Sequence, residues 1–156
     1  MLGLIDSAID QTMTSIHRSA LLPYSDAELF RLVNDVAAYP QFLDGCVGAR
    51  VIHTDALHME ARLDLARGGI AQSFTTLNEL TPNERITLRL KDGPFEYLDG
   101  CWRFQALADR ACKVSLDLEF SVRGSLLSAA AARLLERVTN NLVDAVVRRA
   151  GQVYGS

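Results

Sequence analysis

The feature that most constrains this chain is a change of hydrophobic period. Met59, Ala61, Leu63 and Leu65 alternate with His58, Glu60, Arg62 and Asp64. Ile86, Leu88 and Leu90 alternate in the same way, and so do Cys112, Val114, Leu116, Leu118 and Phe120. A period of two describes a strand with one buried face and one wet face. After Gly124 the period lengthens. Leu127, Ala131, Leu134, Leu135, Val138, Leu142, Ala145, Val146, Ala150 and Val153 recur at three- and four-residue steps, with Arg133, Arg137, Asp144 and Arg148 off that stripe. This is one long amphipathic helix, for which Ser125 supplies a cap. Its stripe has one place to go, a face of the sheet. The chain is therefore expected to be α+β, with a long C-terminal helix laid across an antiparallel sheet. A sheet that curves around that helix opens an apolar cavity suited to a small molecule.

The remaining elements follow from local signals. Ile16 to Leu22 reads as a strand ended by Pro23. Ser25 and Glu28 form a capping box ahead of a short helix carrying Leu29, Phe30, Leu32, Val33 and Val36. That helix ends near Asn34 or Asp35, and a second turn runs to Tyr39 before Pro40. Val47 to His53, Ile70 to Leu77 and Phe95 to Ala106 are less regular strands. Turn signals separate them at Asp55, Gly68-Gly69, Pro82-Asn83, Asp92-Gly93-Pro94 and Asp109. Asp99-Gly100 interrupts the sixth run and reads as a bulge. The order is strand, one or two short helices, about six strands in a meander, long helix.

At 156 residues, with 49% hydrophobic and 22% charged, the chain has the size and composition of one globular domain. Residues 1–12 read as an N-terminal extension, with Met13 opening the domain that runs to residue 156. The extension has Asp6 and Asp10 but no Lys or Arg, so it lacks the basic start of a signal peptide. No run approaches the ~18 apolar residues of a spanning helix. Cys46, Cys101 and Cys112 lack Cys-x-x-Cys spacing and read as reduced, small hydrophobes of a cytoplasmic protein. The net charge of −3 argues against broad nucleic-acid binding, and no DNA partner is expected.

Residues that carry chemistry are sparse. No serine sits in a Gly-x-Ser-x-Gly elbow. His53 and His58 flank a hairpin turn near Glu60, without typical ligand spacing, and read as surface residues rather than a metal site. Asp64, Asp117 and Glu119 belong to the wet faces of strands. No catalytic residue, metal or cofactor is expected. The aromatic residues say more. Tyr39 and Phe42 follow the short helix and suit a cavity entrance, while Phe74, Phe95, Trp102 and Phe104 suit inner faces as lining or core. Val138, Leu142 and Val146 complete the expected cavity from the helix side. Arg85, Arg89, Lys91, Arg103 and Lys113 fall on the outer faces of three strands. They are either a solvated face balanced by Asp117 and Glu119, or a contact for RNA phosphates or an acidic membrane surface.

The segments Leu32-Val-Asn-Asp-Val-Ala-Ala-Tyr-Pro-Gln-Phe-Leu through Cys46, Phe74-Thr-Thr-Leu-Asn, Asp92-Gly-Pro-Phe, Gly100-Cys-Trp-Arg-Phe104 and Leu116-Asp-Leu-Glu-Phe120 resemble, in order and spacing, the coenzyme Q-binding START-like family. That family includes mitochondrial coenzyme Q chaperones and bacterial RatA proteins, and carries the polyketide or oligoketide cyclase label. The resemblance covers about Ile16 to Tyr154. It implies the helix-grip (START-like, SRPBCC) fold, a curved antiparallel sheet around a C-terminal helix with an internal apolar cavity. It implies binding of ubiquinone or a similar lipid as a ligand, in a chaperone or transport role supporting respiration. The RatA branch implies the alternative, a toxin that associates with the large ribosomal subunit and blocks subunit association. A polyketide cyclase is the weaker alternative, since the sequence offers no acid–base pair or nucleophile. The cytoplasm, including the inner membrane face as a peripheral contact, is the expected location. The family often has Pro after Phe-Leu, where this chain has Asp44.

Overall fold

Hairpin-forming turns and period-two strands build one seven-stranded sheet in a computed structural model that describes residues 13–122 and 126–155. The expected extension, residues 1–12, and the Ser125 cap lie outside the described residues. The strands are β1 (Met13–Leu22), β2 (Cys46–Thr54), β3 (His58–Arg67), β4 (Ile70–Thr81), β5 (Arg85–Asp92), β6 (Phe95–Ala108) and β7 (Ala111–Val122). Their order across the sheet is β1-β7-β6-β5-β4-β3-β2, and every pair is antiparallel. β2 to β7 are thus a meander, and β1 closes beside β7 with Ile16 opposite Leu118.

Between β1 and β2 lie helix α1 (Asp26–Asn34) and a 3₁₀ turn over Val36–Gln41. The capping box at the start of α1 is complete. Ser25 Oγ accepts from the Glu28 backbone N–H at 3.1 Å, and the Ser25 backbone N–H donates to Glu28 Oε1 at 3.0 Å. Both bonds satisfy N–H groups that a helix start otherwise leaves open. Pro40 lies inside the 3₁₀ turn rather than ending it.

The C-terminal helix, α2 (Leu126–Tyr154), packs against β1, β7, β4, β3 and α1. Leu135, Val143 and Val146 are sealed from solvent, as are Ala145 and Ala150, while Arg133 and Arg137 are exposed. The side chain of Leu127 lies outside the described residues. From Ala131 onward the helix phase is the expected one except at its end, where Val153 is 49% exposed. There the helix meets α1. Tyr154 donates to the Glu28 carbonyl at 2.7 Å, the Tyr24 hydroxyl bonds to the Gly155 carbonyl, and the two tyrosine rings lie 5.6 Å apart. Both ends of that contact come from ordinary side chain–backbone pairing, which fixes the helix along the sheet.

One expected irregularity is absent. Asp99 and Gly100 pair in continuous register with Glu119 and Leu118, and the shifts in this pairing fall instead at Phe95/Tyr97 and Ala106/Ala108. Gly100 answers a different need. A Cβ there would come within 2.7 Å of Leu118 Cδ1 and 3.2 Å of the Asp117 carbonyl oxygen, so glycine permits a close approach of β7.

Candidate functional site

The inner faces of the strands and α2 do not fill the space between them completely. A small internal cavity of about 80 Å³ remains, with the mainly apolar lining and few polar groups typical of small-molecule sites. Val33, Val36 and Tyr39 close it from the α1 side, and Leu135, Thr139 and Leu142 close it from α2. The sheet contributes Ala61 and Leu63 of β3, Phe74, Thr76 and Asn78 of β4, Ile86 and Leu88 of β5, Leu98 and Trp102 of β6, and Leu116 and Leu118 of β7. None of the lining residues is Asp, Glu, Lys, Arg or His.

Of the residues expected around a cavity, Tyr39, Phe74, Trp102 and Leu142 line it. Phe95 lies behind Phe74, with ring centres 5.8 Å apart, and packs on Phe120 at 6.0 Å. Phe104 stacks on Trp102 at 6.4 Å and meets Phe30 edge-on at 5.6 Å. Val146 is fully buried, and Val138 sits beside Gly45, where its Cγ2 would be 2.8 Å from an added Cβ. Phe42 packs on the outer side of Tyr39 at 5.5 Å, with the Arg149 guanidinium 5.4 Å over its ring. These five support the wall or the surface next to it and are not lining residues.

The polar lining is Asn34, Thr76, Asn78 and Thr139, none of which the hydrophobic pattern singles out. On β4 the pattern misleads. Leu77 points outward and is 39% exposed, while Thr76 and Asn78 are buried inward. The usable signal is Phe74, whose inward phase puts residues 76 and 78 on the same face. Thr76 Oγ1 donates to Asn78 Oδ1 at 2.8 Å, which leaves the Asn78 amide hydrogens without a protein partner among the described residues. Thr139 Oγ1 donates back to the Leu135 carbonyl at 2.7 Å. Asn34 Oδ1 is buried with no hydrogen-bond partner. Tyr39 donates its hydrogen to the Val33 carbonyl at 2.5 Å, and burial pushes its phenol well above the usual range. Tyr39 is therefore neutral and has no hydrogen left to offer a ligand. Trp102 is different, because its indole N–H has no protein acceptor among the described residues.

On the outer face of the sheet the five basic residues divide into two groups. Arg89 reaches Glu79 at 3.6 Å and Lys91 reaches Glu60 at 2.8 Å, so both have acidic partners. Arg85 sits directly opposite Arg103, and Lys113 pairs with Gln105, two positions along the same strand face. Among the described residues, no carboxylate forms an ion pair with Arg85, Arg103 or Lys113. All three line one shallow depression with Asp26 and Glu84.

The polar residues outside these sites have local work. His53 and His58 both lie beside Asp55, at 3.7 and 3.3 Å, across the β2–β3 turn. Asp64 accepts from Ser73 at 2.5 Å and Arg62 at 2.9 Å, bonds that hold its carboxyl below the ordinary value. Asp117 meets His17 at 2.6 Å on the outer face. Cys46 and Cys112 are buried free thiols, and Cys101 is a half-buried one. No helix among the described residues is long and apolar enough to cross a membrane.

The chain is 46% identical over 143 residues to the Ribosome association toxin RatA of Vibrio cholerae, covering 92% of this chain and 99% of that protein. It is 24% identical over 141 residues to the mitochondrial coenzyme Q-binding protein COQ10 homolog B of Xenopus laevis, covering 88% of this chain and 58% of that longer one. Its fold matches the crystal structure of the Zhui aromatase/cyclase from Streptomyces sp. R1128 with a TM-score of 0.78, over 90% of this chain and 94% of that one, at 16% identity. That likeness is one of fold: a START-like curved sheet gripping a C-terminal helix. The family described as polyketide cyclase/dehydrase and lipid transport matches residues 22–147, the span from the end of β1 into the last turns of α2, and the chain belongs to it.

Proposed function

We propose that this chain associates with the ribosome, as the name of its Vibrio cholerae relative states for that protein. The observation that carries this reading is the similarity itself, 46% identity running through 92% of the chain and 99% of the relative. The outer face supports it. Arg85, Arg103 and Lys113 are neighbours on adjacent strands and have no carboxylate in ion-pair contact, so they are free to meet RNA phosphates. The family resemblance implies the large subunit as the partner. Sucrose-gradient sedimentation of the purified chain with separated large and small subunits tests this. Comigration with the large subunit alone is expected, and migration at the top of the gradient in both mixtures would overturn the reading.

A second reading is supported by a separate observation, the cavity walled mainly by apolar side chains. In this reading the cavity holds a hydrophobic molecule, an isoprenoid quinone or similar lipid, as binding rather than chemistry. The lining has no charged group, and Tyr39 is held neutral with its hydrogen engaged. Such a wall has no acid–base pair to turn a ligand over. Each buried CH₂ contributes roughly 0.8 kcal/mol, so affinity rises with tail length until the space is full. Titration of delipidated protein with quinones of increasing tail length, followed by Trp102 fluorescence, checks this. Affinity indifferent to the tail would contradict it.

A further inference from the structure

We propose that the cavity has a head-group subsite for an uncharged oxygen function, made by Asn78 and Trp102, and that it excludes ionised lipids. This rests on the second reading above, that the cavity holds a hydrophobic molecule, and it names the class of molecule.

Two of the cavity-lining residues carry N–H groups that the protein leaves open among the described residues. The Asn78 amide nitrogen has two hydrogens and the Trp102 indole nitrogen has one, and none finds an acceptor among the described residues. Buried polar groups in folded proteins are nearly always paired, and an unpaired one is a destabilising feature that a bound partner relieves. N–H donors select a carbonyl, ester or ether oxygen. The Thr76 hydroxyl fixes the Asn78 carboxamide through the 2.8 Å bond to its oxygen, so the nitrogen side is held in place for a ligand.

Charge is the other half of the selection. A carboxylate or phosphate drawn into this cavity meets no Lys, Arg or His, and two neutral N–H donors do not replace its hydration. The basic residues that would pair with it lie on the opposite face of the sheet. The cavity therefore accepts a neutral amphiphile and leaves fatty-acid anions in water.

The test uses one chain length and three heads. Methyl decanoate, decanoate and decane are titrated into the delipidated protein at pH 8, with fluorescence of Trp102, the single tryptophan, as the readout. Methyl decanoate is expected to bind at least about 100-fold more tightly than decanoate, and about 10-fold more tightly than decane. Asn78→Leu is expected to remove the advantage of the ester over decane, read as the ratio of the two affinities within the same variant. The comparison of ester with anion needs no variant, so it decides the matter even if a substituted chain fails to fold. Equal affinity of ester and anion, with decane still binding, would overturn the subsite and leave the cavity reading standing. No response to any of the three would overturn both.

Discussion

Leu142 is 8% exposed and touches the cavity, so a charge placed there has neither water nor a partner. Leu142→Asp is expected to destabilise the fold by about 4 kcal/mol or more, measured by urea unfolding. Cys46 illustrates the same physics for a titratable group. Burial pushes its thiol up to about 11, helped by the nearby Asp64 charge and opposed by a backbone hydrogen bond from Gly48. At pH 8 its thiolate population is then roughly 100-fold below that of an ordinary cysteine. Alkylation by iodoacetamide at Cys46 is expected to be correspondingly slow in the folded protein and ordinary in urea. Rapid modification in the native state would show that the β2 edge opens. At this scale the sequence was readable where side-chain polarity agrees with position. Leu116, Leu118 and Phe120 are buried as their alternation requires. It was misleading on β4, where an outward Leu77 and an inward Asn78 reverse the pattern. No one-dimensional polarity rule places a buried amide, because what stabilises it is a partner from elsewhere, here the Thr76 hydroxyl.

Elements were more legible than residues. A capping box is a local device, and Ser25 with Glu28 starts α1 where the sequence puts it. Ser25→Ala is expected to cost about 1 kcal/mol in chemical unfolding. The Glu28 carboxyl is held below its ordinary value chiefly by the Ser25 backbone N–H. A lowered carboxyl favours the fold above its unfolded pKa, and that contribution is lost as pH falls through the folded value. The penalty of Ser25→Ala is therefore expected to shrink in acid, below about pH 4, because protonation of Glu28 weakens the bond it accepts from the Ser25 hydroxyl, which the alanine variant never has. The phase of α2 was also legible, because a stripe of apolar residues over many turns fixes one face. What it left unread was the exposure of Val153 at the end that meets α1. The same limit applies to the glycine at position 100. A glycine in a strand signals either a bulge or a close neighbour, and only the register of β7 shows which.

For the whole molecule, the legible part was the layer arrangement. A period-two region followed by one long amphipathic helix leaves a single way to bury both apolar faces. The cavity was foreseeable as a consequence of curvature, but its wall was not. Phe95, Phe104 and Val146 have the same character as Phe74 and Leu142 yet pack behind the lining, because lining depends on the depth of each position in the curved sheet. Ala61 is small and lies on the wall, so Ala61→Phe is expected to fill the space and weaken quinone binding at least tenfold without loss of the folded circular dichroism spectrum. Unaltered quinone affinity would place the ligand elsewhere. The outer face follows other rules. Its five cations share a sheet surface, but acidic neighbours take two of them. Arg85, Arg103 and Lys113 remain for a polyanion, and contacts of that kind weaken as salt rises because phosphate counterions are released on binding. The most direct measurement is cosedimentation with large ribosomal subunits across a salt series, comparing the unmodified chain with an Arg103→Glu, Lys113→Glu double variant and with Arg89→Glu. The account predicts salt-sensitive association, at least a tenfold loss in the double variant with quinone binding unchanged, and a much smaller effect of Arg89→Glu. Association that is indifferent to salt and equal in all three proteins would contradict it.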